Sequence, residues 1–306
     1  MSEVQRLSFH DQIQKNKIKS VALIIGIFIL FILIGYLISI ALDPSFFFII
    51  MIFATIFSLA YVLITYYKSH NIALASVRAK PADKTEHRML FHAAESMSIA
   101  SGLPRPKLYV MPGNQINAFA SGRNPKNSVI CFSQGAVDKL DKQELEGVMA
   151  HEMSHIANYD IRFMTLVAIM VGLISIIAQI YLRSLFFSSL SGNRDRDDKT
   201  GVLLIILSIV AAILAPIIAH LISLAVSRKR EFAADATGVK FTRYPSGLSS
   251  ALKKIKSEHL PSEKEKKQYP QAVAPLFISD PFKKKVKGMF ATHPNIDERI
   301  SRLERM

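Results

Sequence analysis

Two histidines four residues apart are the feature of this sequence that points most directly to chemistry. They lie in the segment His151-Glu-Met-Ser-His155, inside a helix predicted from residue 141 to about residue 157 by the capping-box pattern Asp141-Lys-Gln-Glu144. Residues at this spacing share one helical face, so both imidazoles can reach one metal ion. Glu152 is then placed to act as general base on an activated water, as in zinc peptidases. A chance match is the alternative, and the helical context disfavours it.

A zinc peptidase site needs a third protein ligand, for which Glu231 is the candidate. It follows the last long apolar block, and Asp235 lies four residues further on the same helical face. Asp235 could accept a hydrogen bond from the ring nitrogen of a ligand histidine that faces away from the metal. A charged helical face beside the membrane is the alternative for both residues. The neighbouring two-histidine helix favours the ligand and its orienting carboxylate.

Four long apolar blocks separate the polar segments of the chain. They cover residues 21–42, 46–67, 163–182 and 201–226. Each has the roughly 20 residues that a transmembrane helix needs. A turn pattern at residues 43–45 joins the first two blocks, so residues 1–67 are interpreted as an N-terminal transmembrane hairpin. Residues 68–306 are then a zinc metallopeptidase domain interrupted by the last two blocks, which either span the bilayer or lie in the domain core.

The composition excludes several classes of protein. Half of the 306 residues are hydrophobic, which excludes a disordered chain, and the single cysteine, Cys131, excludes a disulfide-stapled secreted module. Lysine and arginine flank both ends of the hairpin and are absent from its turn, which predicts a multi-pass cell-membrane protein with a cytoplasmic catalytic domain. The net charge of +14 fits contact with the anionic lipid bilayer, and no nucleic-acid partner is expected.

The polar segments predict further helices and a small sheet. Strands are expected at residues 107–111, 116–121 and 128–132, with a turn at 122–125. Helices are expected at residues 84–101, 227–241 and 296–306, and loop at 261–288. The fold class is therefore a mainly α membrane protein of the α+β type, with a small β-sheet and about four transmembrane helices.

The sequence resembles the HtpX-type integral membrane zinc metalloproteases, which are relatives of the CAAX prenyl proteases. The matching motifs are His151-Glu-Met-Ser-His155, Glu231-Phe-Ala-Ala-Asp235, Asn117-Ala-Phe-Ala120, and Thr292-His-Pro294 followed by Arg299. The resemblance covers nearly the whole chain and implies a gluzincin-like fold, one Zn²⁺ per chain and quality-control proteolysis of misfolded or membrane proteins. The lysine-rich stretch from Lys253 to Lys287 departs from the pattern.

The Asn117 motif could bind an extended substrate. Asn117, Ala118 and Phe119 begin a predicted strand, and proteases commonly hold substrates by adding them to the edge of a sheet. An ordinary turn asparagine in a small sheet is the alternative. The resemblance favours the substrate-binding role.

Two residues near the end of the chain complete the predicted site. His293 could stabilise the oxyanion that develops during peptide hydrolysis, and Arg299 could hold Glu231 or that oxyanion in place. The alternatives are a turn-capping histidine and a solvated helical arginine.

Together these features predict a membrane-bound zinc endopeptidase, with two other functions left open. A CAAX-type prenyl protease is the first, although four apolar blocks are few for the chamber such enzymes enclose. A membrane scaffold that binds zinc without cleaving is the second, although a structural zinc site has no need of a base such as Glu152.

Overall fold

The computed structural model describes residues 9–41, 44–172, 228–258, 269–279 and 295–306. Its helices are α1 (Phe9–Ala41), α2 (Phe47–Ser76), α3 (Arg88–Ser101), α4 (Gln134–Lys139), α5 (Lys142–Ala157), α6 (160–172), α7 (Arg228–Thr242), α8 (Pro245–Ser257) and α9 (Ile296–Leu303). Its strands are β1 (Lys80–Pro81), β2 (Lys107–Met111), β3 (Ala118–Asn124) and β4 (Asn127–Ser133). Short 3₁₀ turns cover Pro44–Phe46 and Gln271–Leu276.

Helices α1 and α2 form the predicted hairpin and pack against each other along their aromatic side chains. Phe31 of α1 makes edge-to-face contacts with Phe57 and Tyr61 of α2, at centroid distances of 5.3 and 5.1 Å. Within the described residues, these two helices are long and apolar enough to cross a bilayer. Much of their apolar surface faces outward, as at Phe48 and Phe53, which are 77% and 69% exposed. Such a surface is suited to lipid.

The third and fourth predicted spans fall largely outside the described residues. Of block 163–182 the structure describes residues 163–172, which are helical and mostly buried, and block 201–226 is not described. Met164 and Ala168 pack with the end of α2 and with one face of the sheet, in a cluster that includes Phe119. The described part of the third block therefore contributes to the protein core.

Within the described residues, four strands form one mixed sheet in the order β1-β2-β4-β3. Strand β2 runs parallel to β4, whereas the other neighbours are antiparallel. The predicted turn at residues 122–125 is wrong, because β3 continues to Asn124 and the hairpin turns at 125–126. The strand continues through an irregular register at Gly122, whose φ of +145° is suited to glycine and whose missing side chain leaves room for the Asn127 carbonyl.

Helix α5 occupies the centre of the domain, between the sheet, α3, α7 and α8. The predicted capping box is confirmed: Asp141 Oδ1 accepts a hydrogen bond from the Glu144 amide, and Glu144 Oε2 accepts one from the Asp141 amide, both at 2.9 Å. Helix α7 approaches closely at Gly238, where a Cβ atom would lie 3.2 Å from the His151 backbone nitrogen. This close packing brings the side chains of α7 to the histidine face of α5.

Candidate metal centre

Helix α5 presents two imidazoles to one carboxylate of α7. His151 Nε2 and His155 Nε2 are 3.3 Å apart, and Glu231 oxygens lie 3.6 Å from the first and 3.7 Å from the second. All three side chains are buried, and one ligand atom from each lies within 4.8 Å of the others. Zinc bonds of about 2.1 Å at tetrahedral angles would separate ligand atoms by about 3.4 Å. The three predicted ligands therefore converge at the spacing that a single ion requires.

The ring of His151 is oriented from behind by Asp235. Asp235 Oδ1 lies 3.0 Å from His151 Nδ1, so the other ring nitrogen faces Glu231. Arg299 binds both oxygens of Asp235, with Nη2 2.7 Å from Oδ1 and Nε 2.9 Å from Oδ2. Its Nη1 atom is 3.6 Å from Glu231. Sequence reasoning proposed Glu231 or the oxyanion as the partner of Arg299, and the structure gives it Asp235 as its closest partner.

The ring of His155 is oriented by Asp160, a residue that sequence reasoning missed. Asp160 Oδ2 lies 3.0 Å from His155 Nδ1. Asp160 lies five residues after His155, and residues five apart do not share one face of a helix. The contact arises because α5 ends at Ala157 and the chain turns at Tyr159, whose φ is +59°. Each predicted ligand histidine thus has its own buried carboxylate.

The electrostatics of the site favour a bound cation. Burial alone would lower the pKa of His151, but hydrogen bonds to Asp235 and Glu231 outweigh it and raise that pKa to about 9. Burial opposes ionisation of Glu231, yet His151, His155 and Arg299 hold its pKa well below the usual range. Asp235 also has a lowered pKa, because the attraction of Arg299 and a hydrogen bond to His151 overcome its burial. The carboxylates are therefore ionised and the site attracts positive charge, so its donor set fits a divalent ion.

Glu152 is buried next to the ligand cluster. It is 1% exposed, and burial raises its pKa, although His151 and His155 act in the opposite direction. A carboxyl group with a raised pKa is suited to accept and return a proton near neutral pH.

The predicted substrate-binding segment is engaged by the chain itself. The Asn117 side chain donates a hydrogen bond to the Ser279 carbonyl, and the Ile278 amide donates one to the Ala118 carbonyl, both at 2.9 Å. The Phe119 ring is buried and packs edge-to-face on Phe277. The outer edge of β3 therefore accepts one backbone hydrogen bond from the bend at residues 277–279. His293 lies outside the described residues.

A protein-family model and two related proteins match most of this chain. Residues 84–306 match the family model described as Peptidase family M48. A "Protease HtpX homolog" of Caldanaerobacter subterraneus subsp. tengcongensis is 43% identical over 256 residues, which cover 83% of this chain and 84% of that protein. A "Protease HtpX homolog" of Dictyoglomus thermophilum is 42% identical over 299 residues, 98% of this chain and 95% of that protein.

A solved structure also gives a match, the "Crystal Structure of S. mikatae Ste24p". The TM-score is 0.47 at 18% sequence identity. The match covers 95% of this chain and 66% of that chain. A likeness at this score supports no inference about the present protein.

Proposed function

This chain belongs to peptidase family M48 as a membrane metalloprotease of the HtpX type, and we propose that it is a zinc-dependent endopeptidase that cleaves misfolded or membrane proteins on the cytoplasmic side of the cell membrane. The observation that carries this proposal is the convergence of His151, His155 and Glu231 next to the buried Glu152. The two nitrogen ligands and one carboxylate match a catalytic zinc site, which leaves a coordination position for water or substrate. Zinc, when bound, supplies a Lewis acid that polarises the scissile carbonyl and makes water more acidic.

Glu152 is the proposed general base and acid. Its carboxylate takes the proton of the attacking water and later passes it to the leaving amine. Burial raises its pKa, so the group exchanges a proton more readily near neutral pH than an exposed glutamate would. Retention of a base beside the ligands supports the peptidase over a zinc-binding scaffold, because a structural metal needs none.

The other residues of the chain hold these groups in place. Asp235, itself held by Arg299, fixes the ring of His151 so that Nε2 faces the ligand cluster. His293 is proposed to stabilise the oxyanion, on the resemblance of its motif. Because Glu231 and Asp235 lie on one helical face, a single helix supplies a ligand and the support of another ligand.

The proposed substrate site is the edge of β3 at Asn117, Ala118 and Phe119. The contact between Ile278 and Ala118 supports it, because it shows that the Ala118 carbonyl at this edge can accept a backbone hydrogen bond. A substrate that used the same carbonyl would displace residues 277–279, whereas one bound further along β3 would lie beside them.

The proposed membrane arrangement follows the basic residues near the hairpin. Lys15, Lys17 and Lys19 are exposed at the beginning of α1, and Lys80 is exposed after α2. By the positive-inside rule both ends of the hairpin lie in the cytoplasm, on the side of the metal centre. Crossing of the bilayer by residues 163–182 and 201–226 is part of the same proposal.

The decisive experiment combines metal analysis with a base substitution. The purified full chain is expected to contain about one zinc and to cleave a loosely folded protein. Glu152→Gln should retain the zinc but lose at least about 100-fold in rate, the lower end of what acid–base catalysis contributes. Glu146→Gln is the matched control, because Glu146 lies on the same helix and is partly exposed. Cleavage by Glu152→Gln at the wild-type rate would show that the mechanism is wrong.

A further inference from the structure

Helix α1 contacts Asp160, the residue behind His155, through the buried side chain of Asn16. Asn16 Nδ2 donates to Asp160 Oδ1 at 2.7 Å and to the Asn158 carbonyl at 2.9 Å. Asn16 is 7% exposed, whereas Lys15 and Lys17 on either side of it face solvent. A buried amide costs free energy unless it is hydrogen-bonded. The burial of Asn16 against two acceptors from a segment 142–144 residues away therefore indicates a specific contact.

The contact falls on the turn that places Asp160 behind His155. Tyr159, the middle residue of this turn, has a φ of +59°, which is unfavourable for a residue with a side chain. Asn16 binds the residues on both sides of it, and the Lys17 ammonium lies 4.6 Å from the Tyr159 ring centroid. Helix α1 therefore contacts all three residues of a turn whose middle residue has an unfavourable backbone conformation.

The two oxygens of Asp160 have different partners. Oδ2 lies 3.0 Å from His155 Nδ1, and Oδ1 is shared by Asn16 and the Nε atom of Arg230 at 3.0 Å. With Oδ1 held in this way, Oδ2 points at the imidazole. On the other ligand histidine, Arg299 holds both oxygens of Asp235 in the corresponding role.

We propose that Asn16 is a positioning residue of the metal centre, which acts through Asp160 on the ring of His155. This inference rests on the proposed function, because it requires His155 to be a metal ligand. The packing of helix α1 against the domain then affects the geometry of the metal site. A hairpin displaced from the domain would leave Arg230 as the partner of Asp160 Oδ1 and would hold the His155 ring less firmly.

Metal affinity of the full chain in detergent tests the proposal. Zinc affinity is measured by competition with a chelator, and Co²⁺ absorption reports the geometry of the ligands. Asn16→Ala should weaken zinc binding about 10-fold, the lower end of the loss expected for a group that contacts a ligand, because Asn16 acts one step further away through Asp160. Asn16→Asp, which preserves the shape, should weaken it at least as much because a second carboxylate then faces Asp160. Both should alter the Co²⁺ spectrum.

The control is Ser20→Ala, one helical turn further along α1. Ser20 is also buried, but its hydroxyl bonds to the Asn16 carbonyl within the helix. The zinc affinity of the Ser20→Ala protein should stay within about twofold of that of the wild type. If Asn16→Asp binds zinc and Co²⁺ as the wild type does, the proposal is overturned.

A double-mutant cycle with Asp160→Asn distinguishes a loss of positioning at His155 from a general loss of protein stability. If Asn16 acts through Asp160, Asn16→Ala should change affinity by less than about threefold in the Asp160→Asn background. An equal loss in both backgrounds would overturn the proposed route. Failure of the wild-type chain to bind zinc would instead refute the proposed function, so the two failures are distinguishable.

Discussion

Replacing Arg299 by glutamine should destabilise the fold and weaken the metal site together. Arg299 is 2% exposed, binds both oxygens of the 2%-exposed Asp235, and donates to the Ile278 carbonyl at 3.3 Å. Removing one partner of a buried ion pair costs about 3–5 kcal/mol, because the other charge stays buried without compensation. At roughly 2 °C per kcal/mol for a chain of this size, Tm should fall by about 6–10 °C.

The assay is thermal unfolding of the full chain in detergent, with zinc affinity measured on the same samples. The double variant Arg299→Gln with Asp235→Asn should recover part of the lost Tm, because no lone charge remains. It should not recover zinc affinity, because the ring of His151 then lacks its carboxylate. Arg302→Gln on the same helix is the control. This exposed arginine forms an ion pair with Glu298 and lies over the Phe232 ring, and the two contacts together stabilise the fold by about 1 kcal/mol. An Arg299→Gln protein with unchanged Tm and zinc affinity would refute this reasoning.

Two further predictions concern the pH dependence of metal binding and the packing of α5. The pKa of His151 is raised to about 9, above its ordinary value of 6.5. Protonation of His151 therefore stabilises the metal-free fold fully below about pH 6.5, and this stabilisation is lost as the pH rises through 9. Zinc must displace that proton, so calorimetry should show proton release when zinc binds. The apparent zinc affinity should rise about tenfold per pH unit up to pH 9. An affinity that does not change with pH would contradict the raised pKa of His151. Gly147→Ala should lower stability by about 1–3 kcal/mol, because the added Cβ would lie 2.5 Å from the Leu248 backbone nitrogen. A thermal melt that matches wild type would show that α5 and α8 can separate without cost.

Local spacing accounts for the parts of the protein that were predictable. The capping box fixed the beginning of α5, and the left-handed Gly102 ends α3 where sequence reasoning placed its end. The helical repeat puts His151 and His155 on one face whatever surrounds the helix. The two apolar helices of the hairpin follow from composition and length alone.

The tertiary structure decided which distant faces meet. Asp160 is five residues beyond His155, and no helical period relates them. The left-handed backbone at Tyr159 turns the chain, and in the folded protein the Asp160 carboxylate lies 3.0 Å from His155 Nδ1 and accepts a hydrogen bond from Asn16. The first predicted span was placed at residue 21, whereas α1 begins at Phe9, and Asn16 in these additional turns binds Asp160. Arg299 likewise binds Asp235 because α7 and α9 pack together. Backbone periodicity sets the direction of neighbouring side chains along a helix, but contacts between remote segments depend on how whole elements pack, which no short stretch of sequence specifies.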